Sequence, residues 1–292
     1  MLTGIEFLHI LQDIRMDFPI LEDFFLAISS RVFYMVIPIM MVVAIYWLFD
    51  REKGEIISLG CVSATIASSI AKLIVAQPRP WILDPTLERV PGAHADGYSL
   101  PSGHTTLSAS TYLPMAWYYR KKVILAIILV VVAVLIMMAR LVLCVHTPLD
   151  VLAGIITAVV MVLLAVKAVE IGKRSDRAYY MVSAAYIVLF TLATIYACFH
   201  IEVDLKEILQ SSGFFYGLMI GRLIEHRYVG YTIKERTNYQ KLKAFIIGIL
   251  IAAVLLGVPM LAIPDIGTFI GGVLLMVWCY ALYPMVMMKK DI

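Results

Sequence analysis

The sequence predicts an all-α fold: a polytopic transmembrane helical bundle of about nine spans, preceded by an N-terminal interfacial helix. Three observations carry this expectation. Hydrophobic residues make up 62% of the 292-residue chain. Charged residues make up 15%, against roughly 25% in soluble domains. The apolar residues also gather into runs of roughly 20, the length that crosses a bilayer core as a helix.

Composition excludes some partners and chemistries. A net charge of +3 is too modest to point to nucleic acid. Cys61, Cys144, Cys198 and Cys279 lie in apolar runs without CxxC or His-rich spacing, so they are expected as small buried hydrophobes, neither disulfide-bonded nor metal-bound.

Taken in order, residues 3–14 place Ile5, Leu8 and Leu11 on one helical face, with Phe7, Ile10 and Gln12 beside it. The segment is too short and too charged to span, and is expected to lie in the interface as an amphipathic helix. Glu6, Asp13, Arg15 and Asp17 interrupt any signal-peptide pattern, which leaves insertion to the first span. Phe24 to Ile28 either continue the interfacial role or lengthen that span. The spans are expected at 33–49, 54–76, 104–119, 123–144, 149–169, 178–200, 209–224, 244–263 and 266–288. The third is short and the seventh contains Arg222. Three regions follow: an interfacial segment 1–32, a catalytic core 33–170 and additional C-terminal helices 171–292.

Loop charges orient this drawing. Arg51 and Lys53, Arg120 to Lys122, Lys173, Arg174 and Arg177, the run Arg227 to Lys243, and Lys289 with Lys290 fall on one side. The N-terminus, loop 77–103, link 145–148, Glu202, Asp204, Glu207 and Asp265 fall on the other. The positive-inside rule makes the first side, with the C-terminus, cytoplasmic. In the seventh span Gly213, Gly217 and Gly221 recur every four residues as a small-residue stripe suited to close helix packing. Glu225, His226 and Arg227 are expected to cap that helix at the cytoplasmic interface.

Three stretches fall on the extracytoplasmic side. Pro101-Ser102-Gly103-His104 opens onto an apolar run; a helix starting there presents free N–H groups and its positive dipole end, which suits phosphate. Lys72 and Arg79 stand seven residues apart, followed by Pro80. Arg140, His146 and Asp150 follow with five and three residues between them. Together these stretches resemble the signature of the type-2 phosphatidic acid phosphatase superfamily: Lys-x6-Arg-Pro, Pro-Ser-Gly-His and Ser-Arg-x5-His-x3-Asp. The match covers residues 72–150. Ala139 replaces the usual Ser, removing a hydroxyl but no charge. Nine spans and an outward N-terminus are similar to the glucose-6-phosphatase and sphingosine-phosphate phosphatase branch.

The residue types suit phosphate ester hydrolysis. Lys72, Arg79 and Arg140 supply positive charge, and three cations converging beside a bilayer imply an anionic guest or a carboxylate partner. The N–H groups of Ser102 and Gly103, with the Ser102 hydroxyl, complete an oxyanion cradle. His146 is the candidate nucleophile, forming a phosphohistidine, and Asp150 fixes its tautomer from the same helical face. His104 protonates the leaving oxygen and then activates water. The resemblance implies the same two histidine roles and metal independence, with no cofactor. Asp84, Glu88, His94 and Asp96 are expected as solvated loop residues, with shaping of substrate entry as the alternative.

The expected function is therefore a membrane-embedded, metal-independent phosphatase acting on a lipid phosphate monoester or diphosphate, reached from the surrounding membrane lipids. Candidates are phosphatidic acid, phosphatidylglycerol phosphate, undecaprenyl diphosphate and sphingoid phosphates. Short loops suit a bacterial plasma membrane; an endoplasmic reticulum enzyme with a luminal site is the alternative. Two other functions fit the same motifs: a lipid phosphotransferase using the phosphohistidine, and a lipid or phosphate transporter in which the cations only bind.

Overall fold

A computed structural model of the chain describes residues 4–93, 95–199 and 206–289. Its regular structure is helical throughout, with no strand among the described residues. The helices are α1 (Ile5–Asp17), α2 (Ile20–Phe49), α3 (Arg51–Val75), the short α4 (Pro80–Leu83), α5 (Gly103–Tyr118), α6 (Val123–Val142), α7 (Pro148–Gly172), α8 (Asp176–Phe199), α9 (Lys206–Ile224), α10 (Asn238–Ala262) and α11 (Ile266–Lys289).

Seven of these are long and apolar enough to cross a membrane: α2, α3, α6, α7, α8, α10 and α11. The other two drawn spans, 104–119 and 209–224, are the helices α5 and α9. Helix α5, of 16 residues, carries Ser, Thr and His on buried faces. Helix α9 carries Arg222 and the glycines. Both are surrounded by protein, so neither needs the hydropathy that lipid contact demands. Helix α2 runs through Phe24 to Ile28, so this stretch lengthens the first span.

Helix α3 lies at the centre, packed against α5, α7, α8 and α9. Asp50 starts it by accepting a hydrogen bond from the Lys53 N–H at 3.0 Å. Buried residues occupy all sides of it, many of them Gly, Ala or Ser. Two of its hydroxyls bond the carbonyl one turn back, Ser58 to Gly54 at 2.6 Å and Ser69 to Thr65 at 3.1 Å, which satisfies these polar groups far from water.

Two close helix contacts depend on missing side chains. A Cβ on Gly154 of α7 would lie 2.9 Å from the Ser102 carbonyl oxygen and 3.0 Å from Thr105 Cβ. This glycine sets the start of α5 directly against α7. The stripe in α9 does the same against α11: a Cβ would lie 2.4 Å from the Phe269 oxygen at Gly213, 2.7 Å from Val273 at Gly217 and 3.0 Å from the Met276 oxygen at Gly221. Packing is therefore what these glycines serve.

The N-terminal helix leaves Phe7, Ile10, Ile14 and Met16 exposed and packs its other side on protein. Leu8 of α1 is fully buried and Arg15 is 1% exposed. Loop 77–102 folds over α1: His9 Nε2 lies 3.0 Å from Asp84 Oδ2, Arg15 Nη2 donates to Glu88 Oε2 at 3.1 Å, and Gln12 Nε2 donates to the Thr86 carbonyl at 3.1 Å. Asp84 and Glu88 are thus partly exposed loop residues that also tie the loop to α1. His94, Glu202, Asp204 and Lys290 lie outside the described residues.

Glu225 corrects the expectation of an interfacial cap. It is 2% exposed, accepts from Arg51 Nη2 at 2.6 Å and caps the Tyr231 N–H at 2.7 Å. Burial between two cationic or donor groups, not interface contact, explains a carboxylate at that depth.

Candidate active site

The site forms where one end of α3, α5, α6, α7 and α9 meets loop 77–102. Each helix contributes a terminal residue: Lys72 closes α3, Ser102 to His104 open α5, Arg140 closes α6, and Asp150 lies in the first turn of α7. His146 sits in the turn between α6 and α7. Of the eight residues expected from sequence, seven are buried and Gly103 is half-buried.

Capping chemistry sets the two helix starts. Ser102 Oγ accepts from the Thr105 N–H at 3.5 Å and from Thr105 Oγ1 at 3.1 Å, while the Ser102 N–H donates to the Asp150 carbonyl at 3.0 Å. Thr147 caps α7 reciprocally: its N–H donates to Asp150 Oδ2 at 2.7 Å, and its hydroxyl accepts from the Asp150 N–H at 3.3 Å. Pro148 occupies the first turn, where its missing N–H costs nothing. Asp150 is therefore both a capping-box residue and a neighbour of His146.

His146 Nδ1 lies 3.6 Å from Asp150 Oδ2, and Nε2 lies 2.9 Å from Arg79 Nη1. Ser99 Oγ approaches His146 Nδ1 at 3.4 Å and donates to Asp150 Oδ2 at 2.6 Å. Burial, then the positive charges of Arg79, Arg140 and Lys72, hold the His146 imidazole well below the usual histidine range. His146 is thus a neutral imidazole whose Nε2 faces a guanidinium.

Each cation has partners. Arg79 donates to the carbonyls of Gly97 at 3.0 Å, Asp96 at 2.6 Å and Val145 at 3.0 Å, clamping the loop onto the α6–α7 turn. Arg140 Nη1 donates to Ser29 Oγ at 2.5 Å and to the Ala93 carbonyl at 2.9 Å. Lys72 Nζ donates to both oxygens of Glu207, at 2.7 Å and 2.8 Å. A Cβ on Gly103 would lie 3.6 Å from that Nζ, so the lysine stands at the opening of α5. His104 packs its ring against Tyr34 in a tilted arrangement, with centroids 3.8 Å apart and planes at 33°. Its Nε2 is buried without a hydrogen-bond partner among the described residues.

Ser29, Tyr34, Ser99 and Glu207 are the residues that sequence reasoning did not place here. Ser29 and Tyr34 belong to the first span, remote from the motifs. Ser99 lies three residues before Ser102 in an unremarkable loop, and Glu207 was one of several loop carboxylates. Among the described residues no group of His, Cys, Asp and Glu could hold a metal ion.

A model of the PAP2 superfamily matches residues 56–174, which include every site residue from Lys72 to Asp150. A second, the transmembrane extension of PAP2 superfamily phosphatases, matches residues 209–292. Comparison with curated proteins and with solved structures gives no match.

Proposed function

The chain belongs to the PAP2 superfamily and is a membrane phosphatase, and from that premise we propose that it hydrolyses a lipid phosphate through a phosphohistidine on His146. The division into a catalytic core, 33–170, and C-terminal helices, 171–292, is part of the same proposal.

The observation that carries this reading is the pair of contacts on the His146 ring. Asp150 faces Nδ1 at 3.6 Å, and Arg79 Nη1 lies nearer Nε2, at 2.9 Å, than Nδ1, at 3.4 Å. A carboxylate on one nitrogen favours the tautomer with its proton there, leaving the lone pair on the other. A phosphoryl group that takes the Arg79 N–H onto its own oxygens frees that lone pair and is presented to it. In the first step Nε2 forms a bond to phosphorus while the bond to the leaving alkoxide oxygen breaks, and His104 gives that oxygen its proton. In the second, water attacks phosphorus, His104 takes the water proton, and the P–N bond breaks to release phosphate. Lys72, Arg140 and the first N–H groups of α5 balance the charge on the non-reacting oxygens.

A lipid substrate is supported by a site at the ends of membrane-crossing helices, where a headgroup reaches the site while its tail stays among lipid. The loop charges favour an extracytoplasmic position for this end of the bundle, and the short loops suit a bacterial plasma membrane.

The test is phosphate release by the full-length protein in detergent with EDTA, across phosphatidic acid, phosphatidylglycerol phosphate, undecaprenyl diphosphate and sphingoid phosphates. Release by wild type, lost in both His146→Ala and His104→Ala, is the expected result. Release that survives His146→Ala would overturn the phosphohistidine.

A further inference from the structure

Glu207 stands where the substrate's phosphate is expected. It opens α9, in the part of the chain that carries no catalytic motif, yet its two carboxylate oxygens hold Lys72 Nζ at 2.7 Å and 2.8 Å. Oε1 lies 3.7 Å from the position of a Cβ on Gly103, and Nζ lies 3.6 Å from it. The carboxylate thus lies beside Lys72 at the opening turn of α5. Such a place attracts an anion, and in this structure the anion is the protein's own.

Two features set Glu207 apart from an ordinary buried partner of Lys72. The lysine side chain is 9% exposed whereas that of Glu207 is 47% exposed. One partner is fixed in the core and the other reaches in from the rim. The hydrogen bonds of Arg79, in contrast, go to the neutral carbonyls of Gly97, Asp96 and Val145. At Lys72 the partner is instead a full negative charge on a half-exposed side chain.

We propose that Glu207 is a resident competitor for the phosphate seat: its carboxylate ligates Lys72 in the empty site and leaves when a phosphoryl group binds. This rests on the proposed phosphate-binding role of Lys72 and extends it by giving the C-terminal helices a part in the site. A phosphate dianion cannot share the seat with a carboxylate, because like charges at contact distance repel strongly in a partly desolvated pocket. Each binding event therefore includes the outward rotation of Glu207, and the affinity for any phosphoryl group is lowered by the Lys72 contact it replaces. The same exchange in reverse assists product release, since the returning carboxylate takes Lys72 from inorganic phosphate.

Glu207→Gln keeps the shape and the acceptor oxygen but removes the charge. The experiment compares wild type, Glu207→Gln and Glu207→Ala, full length in detergent, for binding of orthovanadate and inorganic phosphate by calorimetry, and for KM and kcat on phosphatidic acid. Removal of the competitor is expected to tighten orthovanadate and phosphate binding and to lower KM, each by about tenfold. kcat is expected to stay level or fall as product release slows. Glu207→Ala should show the same direction, which separates charge from shape. Weaker or unchanged anion binding in both variants would overturn the proposal and make Glu207 a positioning residue for Lys72. Calorimetry does not depend on turnover. A wild type that binds orthovanadate without releasing phosphate would count against the phosphatase mechanism alone, and failure of every form to bind either anion would overturn the competitor.

Discussion

Ser99 donates its hydroxyl proton to Asp150 Oδ2 at 2.6 Å, the same oxygen that caps the Thr147 N–H and faces His146 Nδ1. One carboxylate oxygen thus serves a loop, a helix start and an imidazole together. Its direction is set by Ser99 and Thr147, not by His146 itself.

Ser99→Ala should therefore act through Asp150. Loss of a hydrogen bond to a buried carboxylate costs about 1.5–3 kcal/mol. The expected outcome is a kcat reduced by about tenfold, with KM for phosphatidic acid within about twofold of wild type and recovery in Ser99→Thr. A purely structural serine would instead lower the amount of folded protein and leave kcat per folded molecule unchanged.

Tyr34 makes a parallel case at the other histidine. Its ring lies 3.8 Å from that of His104, fixing the plane in which the imidazole can exchange protons. Tyr34→Phe keeps the ring and is expected to retain near-wild-type kcat. Tyr34→Ala removes a contact worth roughly 0.5–1.5 kcal/mol and should lower kcat by about tenfold or less. Equal losses in the two variants would assign the effect to the hydroxyl instead.

These two residues also mark how far the sequence could be read. The motif residues were legible because each lies at a helix end and their local spacing fixes which end: Lys72 with Arg79, Ser102 with His104, Arg140 with His146 and Asp150. Helix identity and order were legible from apolar runs. What escaped was contact across the chain. Glu207 meets Lys72 across 135 residues and Ser29 meets Arg140 across 111, and no periodicity connects such pairs. Helices α5 and α9 were the least regular spans by hydropathy for a related reason. Protein surrounds them, so their polar residues face other helices and not lipid. The loop carboxylates looked alike in sequence because exposure depends on α1, whose Arg15 and His9 gather Glu88 and Asp84.

Titration of His146 gives a pH dependence of stability. Burial and three nearby cations hold its folded pKa well below the usual range, whereas the unfolded chain titrates near 6.5. Between those two values the unfolded state binds the additional proton, so stability is fully present above pH ~6.5 and falls as the pH drops toward the folded value. Thermal unfolding in detergent from pH 7.5 to 5.0 should show wild type losing more stability than His146→Asn. Parallel curves for the two proteins would mean that His146 is not held neutral by its surroundings.

Gly154 is expected to be intolerant of any side chain. A Cβ there meets the Ser102 carbonyl oxygen at 2.9 Å and Thr105 at 3.0 Å, and both belong to the rigid start of α5. Overpacking of this kind costs typically 1–3 kcal/mol. Gly154→Ala should lower the unfolding temperature and also reduce kcat, because the displaced turn carries His104. Gly257, where a Cβ meets nothing within 4 Å, serves as the control: Gly257→Ala should leave both quantities close to wild type.

Arg222 and Glu55 form an ion pair toward the opposite end of the bundle. Arg222 of α9 donates to Glu55 Oε1 at 2.9 Å through Nε and 2.7 Å through Nη2, and the two side chains are 4% and 12% exposed. Glu55 lies 17 residues before Lys72 on the same helix, which places it about 26 Å away at 1.5 Å per residue. Removing one partner leaves a buried charge uncompensated, at a cost of roughly 3–5 kcal/mol, whereas replacing both by apolar residues is often neutral. Arg222→Met and Glu55→Leu should therefore each destabilise the protein strongly, and the double variant should recover most of the loss. All three should keep the wild-type KM in whatever fraction folds, because this pair does not touch the phosphate end. A double variant as unstable as the worse single one would show that the pair fixes the α3–α9 register, and a shifted KM would show that register reaching Lys72 and Glu207.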